Sequence, residues 1–139
     1  MRAEWLVVTG CFCLGVALIE AWCLTAVRNL HVAALKRIFP DSQQLLRSHI
    51  DYLMMTGLLF VSYLMFRQFG IVPPGVLVAA ACAGSIINPG AFLAMAIAPQ
   101  LGKKPPALFG GIVSVSFVLT TSGYLGSGWL IARAALAAG

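Results

Sequence analysis

Two histidines, four acids, three tyrosines and four cysteines are nearly all this chain offers for acid–base or ligand chemistry. The run Arg47-Ser48-His49-Ile50-Asp51-Tyr52 gathers three of these side-chain types where a short basic connection gives way to a long apolar stretch. A histidine at the mouth of a membrane helix is a candidate metal ligand or proton carrier, because hydrocarbon gives an idle polar side chain no partner. The same residue type also serves as a plain cap or interface residue. By helical spacing His49 shares a face with Tyr52, Leu53, Thr56 and Phe60. Such a stripe suits a flat apolar ligand such as haem, with the imidazole on the iron, and is equally ordinary helix packing. Asp51 points roughly the other way, so Arg47 or a neighbouring chain is its expected partner.

Glu20 is the acid well inside the first apolar run. A lone carboxylate in hydrocarbon has to be neutral, paired or exposed to a cavity. Its own helix face, with Cys13, Ala17, Leu24 and Val27, offers nothing, so a partner has to come from another helix. Further on, Ser85, Asn88 and Pro89 stand together in Gly84-Ser85-Ile86-Ile87-Asn88-Pro89-Gly90-Ala91-Phe92. Pro89 removes one helical hydrogen bond and frees the carbonyl of Ser85. Asn88 beside that break either satisfies the backbone or aims its amide into a pocket.

The elements that must position these groups are membrane spans. The 139 residues are 60% hydrophobic and 9% charged, against about a quarter charged in soluble domains, and the apolar runs reach the ~20 residues needed to cross a bilayer. The expected fold is all-α, a single four-helix transmembrane domain over residues 1–139 with a short amphipathic segment between the first and second spans. The spans are placed at about Trp5–Val27, from Leu45 or His49 to Phe66, Pro73–Ala98 and Ala107–Leu136. Pro73-Pro74 and Pro105-Pro106 open the last two, where a missing N–H costs nothing. The connection Arg28–Leu46 alternates apolar residues with cations, as in a short interfacial helix ended near Pro40, and Asp41 or Ser42 is placed to cap the next helix. The first span reads as retained rather than as a signal peptide, since Glu20 and Trp22 stand where small cleavage-site residues belong.

The net charge of +5 does not point to nucleic acid, because the cations sit at helix ends and read as topology signals and anionic-lipid contacts. Arg28, Lys36, Arg37, Arg47, Lys103 and Lys104 fall on one side, Arg2, Arg67 and Arg133 on the other. That bias places both odd-numbered connections in the cytoplasm and both termini outside, as in a bacterial inner-membrane protein. Cys11, Cys13, Cys23 and Cys82 lie in apolar runs without metal-ligand spacing and read as buried, unreactive thiols. Gly110, Gly111, Ser114, Ser116, Thr120, Thr121, Gly123 and Gly126 make the last span a close-packing helix. No nucleophile motif, phosphate loop, paired-carboxylate site or zinc spacing is present, so without a cofactor the chain offers little chemistry.

Four spans, a long first connection, Arg47-Ser48-His49 opening span two, and Asn88 with Gly90 in span three together resemble the small membrane isomerases of the styrene oxide isomerase and hydroxylaminobenzene mutase family. The resemblance implies a homotrimer of four-helix subunits holding haem b near subunit interfaces, with His49 as the proximal ligand of the haem iron. It further implies a ferric Lewis acid that polarises an epoxide C–O bond and yields an aldehyde by hydride shift. Asn88 takes the part of a substrate-placing asparagine. Phe92 stands where the family has a tyrosine, Gly84 where it has an aspartate, and Met55 where it has an asparagine. Tyr52 or Tyr124 is left to supply a hydroxyl from elsewhere, and the aromatics, Phe92 among them, to shape the pocket. Two other functions compete. One is a small proton-coupled multidrug-type exporter using Glu20; the other is a non-catalytic haem-binding membrane subunit.

Overall fold

A computed structural model of the chain describes residues 2–138. Its elements are α1 (Glu4–Arg28), α2 (Ala33–Ile38), α3 (Ser42–Gln68), α4 (Gly75–Ile97), α5 (Gln100–Lys103) and α6 (Ala107–Ala138), with no strand among the described residues. The helices α1, α3, α4 and α6 are each long and apolar enough to cross a membrane, which fits an integral membrane protein. All four lie where the apolar runs place them.

The first connection behaves as its composition requires. Helix α2 buries none of its residues, and Leu30, Val32 and Ile38 stay exposed beside Lys36 and Arg37. Asp41 ends the connection as a helix cap, its Oδ1 accepting from the backbone N–H groups of Gln43 and Gln44 at 3.1 Å each. Because of that cap α3 starts at Ser42, earlier than the apolar pattern indicates, and His49 sits two turns inside the helix rather than at its mouth. The short helix α5 is a second difference: Pro99 begins a turn that the apolar pattern does not register. At the far end of α3 the chain reverses through Gly70, which has φ +61°, a left-handed conformation that glycine adopts without penalty.

The helices stack antiparallel in the order α1, α3, α4, α6, with α1 also reaching α4. Side-chain contacts fix the α1–α3 register. Arg28 donates to the Ser42 carbonyl at 3.0 Å, Ser48 meets Glu20, His49 meets the Ala17 carbonyl, and Thr56 reaches the Gly10 carbonyl at 3.4 Å. The α4–α6 pair is held differently, by closeness. A Cβ on Gly123 would lie 2.5 Å from the Ala81 nitrogen, and one on Gly84 would lie 2.6 Å from the Thr120 nitrogen. Lipid tails are as apolar as leucine, so helices gain little by burying leucine and gain dispersion contact by approaching backbone to backbone. Helix α6 touches little else, and its buried residues are Ser116, Gly123 and Ser127.

Candidate functional site

Helix α3 carries the densest set of polar groups, and its pitch divides them between two flanks. Residues two apart on a helix point about 200° from each other. His49 accordingly faces α1, where its Nδ1 lies 2.9 Å from the Ala17 carbonyl. Asp51 faces α4 and α6, and its Oδ2 accepts from Asn88 Nδ2 at 2.9 Å. Asn88 Oδ1 in turn accepts from Ser116 Oγ at 3.5 Å. The partner of Asp51 is therefore Asn88, not Arg47, and Asn88 spends its amide on side chains rather than on the open backbone at Pro89. Between the flanks Ser48 and Tyr52 point inward. Tyr52 is 4% exposed and donates to the Ile86 carbonyl at 3.2 Å, which places it in the packed core. Phe92, one turn beyond Asn88, is half-buried.

The break at Pro89 is repaired as the chain's own chemistry allows. The Ser85 carbonyl, which has no N–H to accept at Pro89, instead faces the Cys13 thiol at 3.6 Å, and Ser85 Oγ pairs with the Tyr124 hydroxyl at 2.7 Å. Cys13 and Cys82 are buried, Cys23 is half-buried and Cys11 is exposed, so burial of all four does not hold. The polar residue that sequence alone did not single out is Ser48. It supplies the interhelical partner that Glu20 needs, with its Oγ 2.6 Å from Glu20 Oε1. Its signal was present, since 48, 52, 55, 56 and 59 repeat at helical spacing and form the buried face of α3.

Gly84 and Met55 are both occupied by packing. Position 84 abuts the backbone of Thr120, so an aspartate has no room there. Met55 is 5% exposed and fills the interior of the bundle. His31, in the connection after α1, is exposed with φ 52°, a conformation uncommon outside glycine, in which histidine is enriched.

Among the described residues no three His, Cys, Asp or Glu side chains converge as they would around a bare metal ion. A porphyrin needs only one protein nitrogen, because the macrocycle supplies the other four. His49 fits that requirement: the Ala17 carbonyl takes the hydrogen of Nδ1, which leaves the lone pair on Nε2 for a ligand bond. The ring is half-buried, and Ile50, Leu53 and Met54 around it on α3 are exposed and apolar. On the other flank an open apolar groove of about 460 Å³ runs between α4 and α6, lined by Ile87, Leu108, Gly111, Ile112 and Val115 among others. Ile87 and Val115 are the chain neighbours of Asn88 and Ser116. No known protein-family profile, curated protein or solved structure matches the chain.

Proposed function

We propose that the chain is a membrane haem b protein of the isomerase type, rearranging a small lipophilic aromatic substrate, an epoxide or similar compound, without net oxidation. The observation that carries this reading is the hydrogen bond from His49 Nδ1 to the Ala17 carbonyl. It fixes the tautomer and orientation of the imidazole, as the outer partners of metal-binding histidines do. Haem bound at His49 would supply a Lewis-acidic iron to polarise a C–O bond. The chain's own residues position and exclude. Asn88, with one N–H on Asp51, has its second N–H left to orient a substrate oxygen. Phe92 and the apolar groove along α4 and α6 favour an aromatic body over water.

His49 and Asn88 stand on opposite flanks of α3, so one copy does not bring them to a common centre. A cyclic homo-oligomer that lays the α1 flank of one copy against the α4–α6 flank of the next would do so, and the trimer implied by the family resemblance is such a closed ring. The cation-rich end formed by the α1–α3 and α4–α6 connections lies at the cytoplasmic face of a bacterial inner membrane on this reading, with both termini outside.

The exporter alternative has less support. An exchange carboxylate must be reached by its substrate, and Glu20 is 3% exposed, with Ser48 on it.

The test is the absorption spectrum of protein purified in detergent from haem-replete cells. A strong Soret band that His49→Ala abolishes is expected, and a colourless wild-type protein overturns the reading. Haem-loaded protein given an aryl epoxide under anaerobic conditions, with no reductant, should form the aldehyde. Failure across several epoxides and arylhydroxylamines leaves the non-catalytic haem-binding subunit standing.

A further inference from the structure

Glu20, Ser48 and Pro89 meet where α1, α3 and α4 come together. Glu20 is 3% exposed and Ser48 is fully covered. Ser48 Oγ lies 2.6 Å from Glu20 Oε1 and 3.1 Å from the Pro89 carbonyl. Glu20 Oε2 has no hydrogen-bond partner among the described residues. Three oxygens in a row thus share whatever hydrogens the cluster holds, and the serine brings one.

Counting hydrogens decides the state. With Glu20 ionised, both neighbours of Ser48 are pure acceptors and its single hydrogen serves only one of them. The carboxylate would then carry a full charge in the interior of the bundle on a single hydrogen bond, with its second oxygen bare. That arrangement costs several kcal/mol or more. With a proton on Oε1 every hydrogen finds an acceptor: the carboxyl O–H donates to Ser48 Oγ, and the serine O–H donates to the Pro89 carbonyl. The charge disappears, and Oε2 becomes a neutral carbonyl oxygen whose missing donor is a far smaller loss. The 2.6 Å contact lies within the O–H···O range whichever oxygen donates, so the count of hydrogens decides.

No cation in the surroundings offers a substitute. On α3 the titratable and charged neighbours of Ser48 are Arg47, which is exposed, His49, turned to the Ala17 carbonyl, Asp51, bound to Asn88, and Tyr52, bound to the Ile86 carbonyl. Helix α4 carries no acid or base from Gly75 to Ile97 apart from the thiol of Cys82. On α1 the nearest charged residue is Arg28, two turns away and engaged with Ser42.

We infer that Glu20 is a proton-binding site, and that its bound proton closes a relay from Glu20 through Ser48 to the Pro89 carbonyl, fastening α1, α3 and α4 together. The Ala17 carbonyl that holds His49 lies three residues before Glu20 on the same helix, so the proton also fixes the segment of α1 that orients the imidazole. Loss of the proton leaves Ser48 with two acceptors and frees α4 from the relay.

The chain has two glutamates, Glu4 and Glu20. Labelling with carbon-13 glutamate in a Glu4→Gln background therefore leaves Glu20 as the sole labelled side-chain carboxyl, with no change at the site itself. In lipid nanodiscs at neutral pH, infrared spectra should show a labelled C=O stretch of a protonated carboxyl that shifts in heavy water and is lost only as the pH is raised. Ser48→Ala should shift that band upward, since the donated hydrogen bond disappears. Glu20→Gln should keep the wild-type thermal midpoint, because the amide N–H donates to Ser48 in place of the proton. Above the ordinary carboxyl range the folded state then binds one proton more than the unfolded chain, so wild-type stability falls with rising pH and that of Glu20→Gln does not. A labelled carboxylate band at neutral pH, whether or not sodium alters it, overturns the inference.

Discussion

The two helix junctions of this bundle solve one problem by opposite means. Around Ser48 the helices α1, α3 and α4 are joined by polar atoms at 2.6 and 3.1 Å, whereas α4 and α6 are joined by the absence of side chains at Gly84 and Gly123. Leu24, Leu45 and Leu59 are buried beside the polar junction, yet large apolar residues such as Trp22, Val72, Leu108 and Leu125 point outward. That inversion is expected where the solvent is hydrocarbon. Apolar area does not discriminate between a neighbouring helix and lipid, so close backbone approach and satisfied polar groups must do so. The polar junction depends on hydrogens that can be added or removed. The glycine seam depends on shape and has no such variable.

The sharpest break in this contrast is steric. Gly123→Leu should force α6 off Ala81 and cost about 3 kcal/mol or more, read as a collapse of the thermal midpoint in detergent at every pH. Next comes Ser48→Ala, which strips Glu20 of its Ser48 hydrogen bond and should cost about 1–3 kcal/mol. Its cost should vary with pH where that of Gly123→Leu does not, and equal pH responses in the two variants would erase the distinction. The smallest effect belongs to Tyr124→Phe, which removes the shorter of the hydroxyl contacts across the seam, to Ser85 at 2.7 Å. A loss of about 1 kcal/mol is expected, and a loss as large as that of Gly123→Leu would show that the seam, too, is held by polar bonds.

The four spans could be read directly, because apolar runs bounded by Pro73-Pro74, Pro105-Pro106 and cations leave little choice. The start of α3 was legible through the Asp41 cap and not through the apolar pattern, because the polar turn Ser42-Gln43-Gln44 lies outside that pattern. The site divides in the same way. Pro89 frees the Ser85 carbonyl by covalent geometry alone, and that followed from the sequence. Which donor fills it, Cys13, depends on which helices touch, and no spacing within one helix encodes that. For the same reason Glu20 advertised a need for a partner without naming Ser48. Asp51 was expected to meet Arg47 or a neighbouring chain, but within the chain it meets the Asn88 amide instead. The separation of His49 from Asn88 was implicit in the 49–51 spacing, which sets Asp51, the partner of Asn88, on the far side of α3 from the histidine.

Helix α6 is the odd member in one further respect. Its 32 residues make a rod of about 48 Å at 1.5 Å per residue, against ~30 Å of hydrocarbon. Arg133 stands about 39 Å along it from Ala107, close to where the lipid headgroups end on the opposite side. A rod this long either tilts or overhangs. With little besides α4 to restrain it, its inclination is set by the lipid, so the gap between the far ends of α4 and α6 should change with membrane thickness. Spin labels at the far ends of these two helices, in nanodiscs of short- and long-chain lipids, would measure that change directly.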